Sequence, residues 1–405
     1  MGEPLIVVVN DRVLRRTLTG VGHYVSQVLL HLPEVDRQIR AEPFLHARIL
    51  RRAWRDPKGP AVAGASDPGC VDSPAAPAAA LARQPRDVGS SRKPWWVRRI
   101  GQGAYAGLFR LLSGRYALYH EPNHIPIRCG LPTITTIHDL SVLVHPEWHP
   151  ADRVRWYERE FEAGVLQTRR FIAASEFTKR ELVSRLGLAP DRIDVTYQAP
   201  RPAFLSVDAA AARRTLTALD LPSRFFLYVG TLEPRKNLAG LIDAFEALPP
   251  NIRGRHPLII AGPWGWSLEA LRERIQRRAL GSSVRLLGYM SDAQLAGLYS
   301  ACTAFVWPTL YEGFGMPPLE AMACGAPVIV SDVTSVPEVV GDAGVLLDPS
   351  KPEAWVAAMR RMAEDDAWRE DLIERGIARA ATFSWKRCAI QTAAAYRATL
   401  SSSHA

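Results

Sequence analysis

The chain has 405 residues, is 47% hydrophobic and carries a formal charge of +9. That length exceeds the roughly 250–300 residues one core usually serves, so two domains are expected, and no apolar run of about 18 residues is present to span a membrane. The start, MGEPLIVVVNDR, lacks the charged region and cleavage site of a secretory signal, which makes the cytoplasm the expected location, while the positive charge favours anionic partners without choosing among nucleotides, nucleic acids and anionic lipids.

In chain order, Leu5–Val9 is a β-branched run that reads as a strand. A polar loop reaching Gly20 and Gly22 follows, then an amphipathic stretch Tyr24–Leu32, so the order is strand, glycine loop, helix. Residues 56–91 turn to Ala, Pro, Gly and Ser with little aliphatic bulk, too little to offset the entropy of ordering, and are expected to form a disordered insertion. Thr133–Ile137 and Arg170–Ala174 read as strands, Ala151–Val165 and Glu176–Leu186 as helices. Ala199–Pro222 is the expected linker. Beyond it strands Phe225–Val229, Leu258–Ala261, Val284–Leu287 and Ala304–Trp307 alternate with helices Leu238–Leu248, Leu268–Ala279 and Asp292–Ser300, and a last helical stretch covers Ser384–Leu400. Such βαβ alternation predicts a parallel sheet covered on both faces, with ligands in the crevice beyond the strands' carboxyl ends.

The residues that follow strands are the chemically pointed ones. Pro308–Asp332, PTLYEGFGMPPLEAMACGAPVIVSD, spaces Glu312 and Glu320 with seven residues between them. Pro317 and Pro318 suit a helix's first turn and Gly325 its C-terminal cap, which puts Glu312 in the loop and Glu320 in the first turn. Free backbone N–H groups near Gly315 and Met316 would favour a phosphate, and carboxylates beside them would suit sugar hydroxyls; equally, Glu320 could merely complement the helix dipole. Val229–Asn237, VGTLEPRKN, offers Arg235 and Lys236 after a strand, against the plain alternative of a solvated basic pair. Cys70, Cys129, Cys302, Cys324 and Cys388 are odd in number and scattered, which reads as buried reduced thiols rather than disulfides or zinc ligands.

Taken together, Pro308–Asp332 resembles the E-x7-E signature of family 4 glycosyltransferases of the GT-B fold, and the resemblance covers nearly the whole chain except 51–112. It implies an α/β fold of two Rossmann-like domains facing each other across a cleft: an acceptor domain over 1–205, a nucleotide-sugar domain over 206–383, and a helix over 384–400 crossing back. It implies that Lys236, aided by Arg235, holds the donor diphosphate, although Thr231 stands where one common family pattern has arginine. By the same resemblance Glu312 contacts the donor sugar, Glu320 the ribose, and His138 of Thr136-Ile-His138-Asp139 faces the sugar. Gly20 and Gly22, Gly230, Gly262, Tyr289, and Gly313, Phe314, Gly315 and Met316 line the donor site. The reaction implied is retaining and metal-independent, with no cofactor beyond the nucleotide sugar. TLEPRKN and IHDLSVLVHPEW most resemble bacterial mannosyltransferases that use GDP-mannose in surface-polysaccharide assembly, with a glycan or lipid-linked glycan as acceptor.

Other readings stay open at this point. A nucleotide-sugar epimerase of the same fold would turn over donor without acceptor, and a non-catalytic binder could use the basic stretch for nucleic acid, although no nucleic-acid module accompanies it. Ser91–Leu112, SRKPWWVRRIGQGAYAGLFRLL, interleaves Arg and Lys with Trp95, Trp96 and Phe109. It suits either peripheral contact with an anionic membrane or an ordinary helix whose aromatics join the core.

Overall fold

The computed structural model describes residues 4–15, 20–44, 113–266 and 283–401, with positions 107, 109, 271 and 273. The expected insertion over 56–91, most of the basic stretch 91–112 and most of the expected helix 268–279 lie outside the described residues.

Two six-stranded sheets are formed, and every strand pair in both is parallel. The first holds β1 (Leu5–Val9), β2 (Ile39–Pro43), β3 (Leu118–Glu121), β4 (Thr133–Ile137), β5 (Arg170–Ala173) and β6 (Ile193–Val195), in the order β2-β1-β3-β4-β5-β6. The second holds β7 (Phe226–Val229), β8 (Leu258–Ala261), β9 (Val284–Gly288), β10 (Ala304–Trp307), β11 (Val328–Ser331) and β12 (Val345–Leu347), in the order β12-β11-β10-β7-β8-β9. Strands β7, β8, β10 and β11 are buried along their whole length. Continuous rather than alternating hydrophobicity, as in FLYV and LIIA, is what a sheet covered on both faces requires.

Each sheet reverses its direction of growth beside its first strand, between β1 and β3 in one domain and between β7 and β10 in the other. At such a point the connections leave towards opposite faces and open a crevice at the strand ends.

The helix Trp385–Ser401 packs along the helix Gly20–Val35 and touches β4, β5 and β6. Its Trp385, Cys388 and Tyr396 share one buried cluster with Val7, Tyr24, Val28 and Leu32, so the last helix completes the first domain's core.

Several local expectations need correction. Gly20 and Gly22 do not form a loop; they open the helix Gly20–Val35. The buried stripe Tyr24, Val25, Val28, Leu29 and Leu32 fixes that helix against the sheet. Phe109 is fully buried against Phe44 and Tyr119, with ring centroids 4.5 and 5.0 Å away, so this aromatic belongs to the core rather than to a membrane-facing surface. Among the described cysteines none forms a disulfide; Cys302, Cys324 and Cys388 are buried, whereas Cys129 is half-buried.

Candidate functional site

Between β7 and β10 the chain places a compact ionic knot. After β7, Pro234 opens a single turn Pro234–Lys236, and Asn237 closes it in the left-handed region while its side chain caps the next helix through Gly240 N–H. Arg235 and Lys236 thereby face the end of β10. From there Glu312 reaches back: its carboxylate accepts from the Lys236 ammonium, from Arg235 at 3.1 Å and from Thr309 Oγ1 at 2.8 Å. Arg235 also donates to Glu233 at 2.6 Å and to the Tyr311 carbonyl at 3.0 Å, and Lys236 Nζ sits 4.6 Å from the centre of the Trp307 ring.

Apart from the half-buried Arg235 these groups are buried, and burial sets their electrostatics. Burial and the adjacent Arg235 charge press the Lys236 ammonium below its ordinary pKa, with Glu312 opposing. Burial also works against the Glu312 carboxylate, yet Arg235 and Lys236 hold it below the usual carboxylate range. The two cations are thus matched by Glu233 and Glu312 from their own domain, with the Asp139 carboxylate of the first domain also facing Arg235.

The loop Tyr311–Gly315 is held from behind. Glu312 N–H donates to Thr334 Oγ1 at 3.0 Å, and Ser335 Oγ donates to the carbonyls of Glu312 and Phe314, both at 2.9 Å. Gly315, at φ +113°, is the N-cap of the helix Met316–Ala323. Two corrections arise here. Glu320 lies beyond the helix's first turn, because the helix starts at Met316. Pro317 and Pro318 also carry no N–H, which leaves fewer donors at this terminus for an anion than four ordinary residues would.

Glu320 is engaged elsewhere. Its two oxygens take a bidentate pair of hydrogen bonds from Arg201, at 2.6 and 2.9 Å, and Arg201 donates on to Asp292 at 2.5 Å. Burial raises the Glu320 carboxyl while Arg201 pulls it down.

Gly230 and Gly262 meet backbone to backbone: a Cβ on Gly262 would lie 1.9 Å from the Gly230 carbonyl oxygen, so packing alone demands glycine there. The Phe314 ring faces Tyr197 and Phe383 at 6.0 and 6.1 Å, within aromatic packing, and Met316 packs on the second domain's core. Tyr289, after β9, is 65% exposed at the rim.

The first domain closes over the knot. His138 Nε2 lies 2.9 Å from the Pro122 carbonyl, which fixes that nitrogen as the protonated one, and Nδ1 is 3.4 Å from Gln198 Nε2. Burial lowers the ring's pKa, so His138 is a neutral, fully engaged imidazole. Asp139 accepts from Ser141 N–H and Oγ at 2.9 and 2.7 Å. Burial works to raise the Asp139 carboxyl, but the Arg235 charge across the cleft holds it well below its ordinary range. A Cβ on Gly313 would lie 1.7 Å from the His138 carbonyl oxygen, and the Gly313 carbonyl accepts from Ser175 Oγ at 2.7 Å and Thr178 Oγ1 at 3.2 Å. Tyr311 donates to Glu181 and accepts from Leu140 N–H at 3.2 Å.

The structure thus gathers Arg235, Lys236, Glu312, Gly313 and His138 at one place, while Glu320 forms a separate cluster with Arg201 and Asp292. Arg201, Thr334, Ser335 and Glu181 escaped the sequence reading, since none stands in a recognisable motif. The one signal for Arg201 was its isolation between two prolines in APRPAF. Among the described residues no group of His, Cys, Asp and Glu is arranged to hold a metal ion, and no helix is long and apolar enough to cross a membrane.

Comparison with known proteins gives concordant matches. The family model described as Glycosyl transferases group 1 matches residues 214–379, and that described as Glycosyltransferase Family 4 matches residues 70–199, beginning inside the stretch read as an insertion. The chain is 40% identical over 282 residues to O-antigen chain mannosyltransferase B of Escherichia coli, covering 69% of this chain and 74% of that one. It is 32% identical over 285 residues to serotype-specific mannosyltransferase WbdA of Escherichia coli, covering 68% of this chain but only 34% of WbdA. Among solved structures, sucrose-phosphate synthase from Thermosynechococcus elongatus superposes with a TM-score of 0.69 at 23% identity, covering 99% of this chain and 100% of that one. Anabaena HepE in complex with UDP and glucose superposes with a TM-score of 0.67 at 17% identity, covering 97% and 100%.

Proposed function

Because this chain belongs to the glycosyltransferases of group 1 and family 4, with their two-domain GT-B fold, we propose that it transfers mannose from GDP-mannose, with retention of anomeric configuration, to a glycan or lipid-linked glycan in surface-polysaccharide assembly. The observation that carries the reading is the knot of Arg235, Lys236 and Glu312 at the switch point of the second sheet. Likeness to O-antigen chain mannosyltransferase B supports the choice of sugar and pathway.

In this reading the diphosphate seats against Lys236 and Arg235, whose charge is worth most as the leaving group becomes more negative, and no resident divalent cation is required. The bond from the sugar C1 to the phosphate oxygen breaks, the acceptor oxygen bonds to C1 from the same face, and the departing phosphate oxygen takes the acceptor's proton. Glu312 orients Lys236 and meets the donor sugar. Glu320 accepts from the ribose hydroxyls. His138, neutral and with Nε2–H committed to Pro122, shapes the sugar pocket without exchanging a proton.

The same reading places the enzyme in the cytoplasm, at the inner face of the membrane when the acceptor is lipid-linked. Arg92, Lys93, Trp95 and Trp96 supply the sequence support for such contact. The protein should release GDP from GDP-mannose only when an acceptor is present, and nuclear magnetic resonance of the product should show an α-linked mannose. Turnover without acceptor would favour the epimerase reading, and no turnover with intact GDP binding would favour a binder.

A further inference from the structure

Arg201 stands outside every motif, yet it is held at several points in the segment joining the two domains. Its backbone is fixed on both sides: Trp385 Nε1 donates to the Pro200 carbonyl at 3.0 Å, and Pro202 begins a single turn ending in the fully buried Phe204. The guanidinium lies 4.5 Å from the Phe204 ring centre, so its plane is set before any ligand arrives. From that seat it spends two N–H groups on Glu320 and one on Asp292.

We infer that Arg201 is a positioning residue for donor recognition, holding the Glu320 carboxylate charged and in one rotamer so that its remaining lone pairs face the ribose diol. A carboxylate has about four acceptor sites, and a bidentate arginine uses two of them. The other two match a pair of vicinal hydroxyls. Without the arginine, Glu320 is a buried carboxyl facing the like charge of Asp292 and the uncharged side chains of Tyr299 and Cys324. His23, from the first domain, faces Arg201 and Asp292, and burial, the largest cause of its lowered pKa, persists when the arginine is removed, so it is a poor replacement cation at neutral pH. Glu320 then takes up a proton and turns from an acceptor of two hydroxyls into a partial donor. This inference rests on reading Glu320 as the ribose contact.

The test uses the full-length protein and calorimetric titration with GDP or UDP, whichever the wild type binds more tightly, alongside the 2′,3′-dideoxy form of the same nucleotide. The wild type should prefer the ribonucleotide by at least about tenfold, the scale of one or two charge-assisted hydrogen bonds. Arg201→Met should weaken the ribonucleotide by about tenfold or more near pH 6 and by less near pH 8.5, because higher pH favours the ionised Glu320, while the dideoxy form changes by less than about twofold. Arg201→Lys should restore part of the discrimination, and Asp292→Asn, which keeps Arg201 on Glu320 and removes the like charge facing that carboxylate, should leave the discrimination within about twofold of the wild type. These two variants decide the matter if Arg201→Met fails to fold. Equal loss of both nucleotides at both pH values overturns the positioning role and leaves the ribose reading intact. A wild type that does not discriminate overturns the ribose reading, and this inference with it.

Discussion

The carboxylate of Glu338 accepts the backbone N–H of Phe177 at 2.6 Å, although the two residues belong to different domains. It also takes Glu176 N–H at 2.8 Å and the Tyr197 hydroxyl at 3.2 Å, so a side chain of the second domain caps the helix Glu176–Leu186 of the first. Charge at a helix N-terminus and hydrogen bonds to an ion together contribute on the order of 1–3 kcal/mol. Glu338→Ala should therefore shift the protein towards an open cleft. Small-angle scattering should show a larger radius of gyration, turnover should fall roughly tenfold, and Tm should move little because neither core is touched. An unchanged scattering profile with unchanged turnover would remove Glu338 from domain closure.

Gly313→Ala tests the same closure from the other side. The added methyl would lie 1.7 Å from the His138 carbonyl oxygen, a contact relieved only by separating the domains or bending the loop. Nucleotide affinity should stay within a few fold while kcat drops by about 10²-fold or more. Wild-type kcat in this variant would show that the close approach is not needed for turnover.

The residues of the ionic knot should separate kinetically. Lys236→Ala should lower kcat by about 10²–10³-fold, as loss of a preorganised charge at a developing anion does. Glu320→Gln should mainly raise the donor KM, because the ribose changes little during transfer. Glu312→Gln should affect both constants and carry a distinct pH signature. With Glu312 uncharged, the already lowered pKa of Lys236 falls further, so the alkaline limb of the kcat profile should move to lower pH. An unmoved limb would mean that Lys236 does not titrate in turnover.

Glu121, buried at the end of β3, predicts a pH dependence of stability. Its carboxyl is pushed up to about 7 by burial, although Tyr119 and Asn10 donate to it, both at 2.6 Å. A carboxyl with a raised folded-state pKa keeps its proton longer in the native state than in the unfolded chain. Its contribution is therefore lost as pH climbs from the ordinary carboxylate range through about 7. Thermal unfolding should show Tm declining across that window, and Glu121→Gln should flatten the decline. An equal slope in the variant would assign it to other groups.

How much of this was legible in the sequence depends on distance along the chain. The two-sheet α/β architecture could be read from apolar runs such as LIVVV, FLYV and LIIA, because each marks a buried strand by itself. Lys236 and Glu312 could each be read as chemically placed, since both follow strands. Their direct contact could not, because it spans 76 residues and depends on β10 returning to the side of β7. Glu320 was read from its motif, but its partner Arg201 is 119 residues away in a segment without periodicity. Glu338 was invisible for the same reason: a helix cap lent by another domain leaves no local pattern, whereas Ser175, which caps that helix from within, does.

The helix Trp385–Ser401, which supplies Trp385, Cys388 and Tyr396 to the first domain's core, also dictates an order of assembly on the ribosome. At typical elongation rates of about 5–20 residues per second, the roughly two hundred residues separating β6 from this helix take about 10–40 seconds to emerge. Throughout that interval the nascent first sheet lacks one wall of its core, and by its end the second sheet has all of its strands. The domain synthesised first is thus the one completed last.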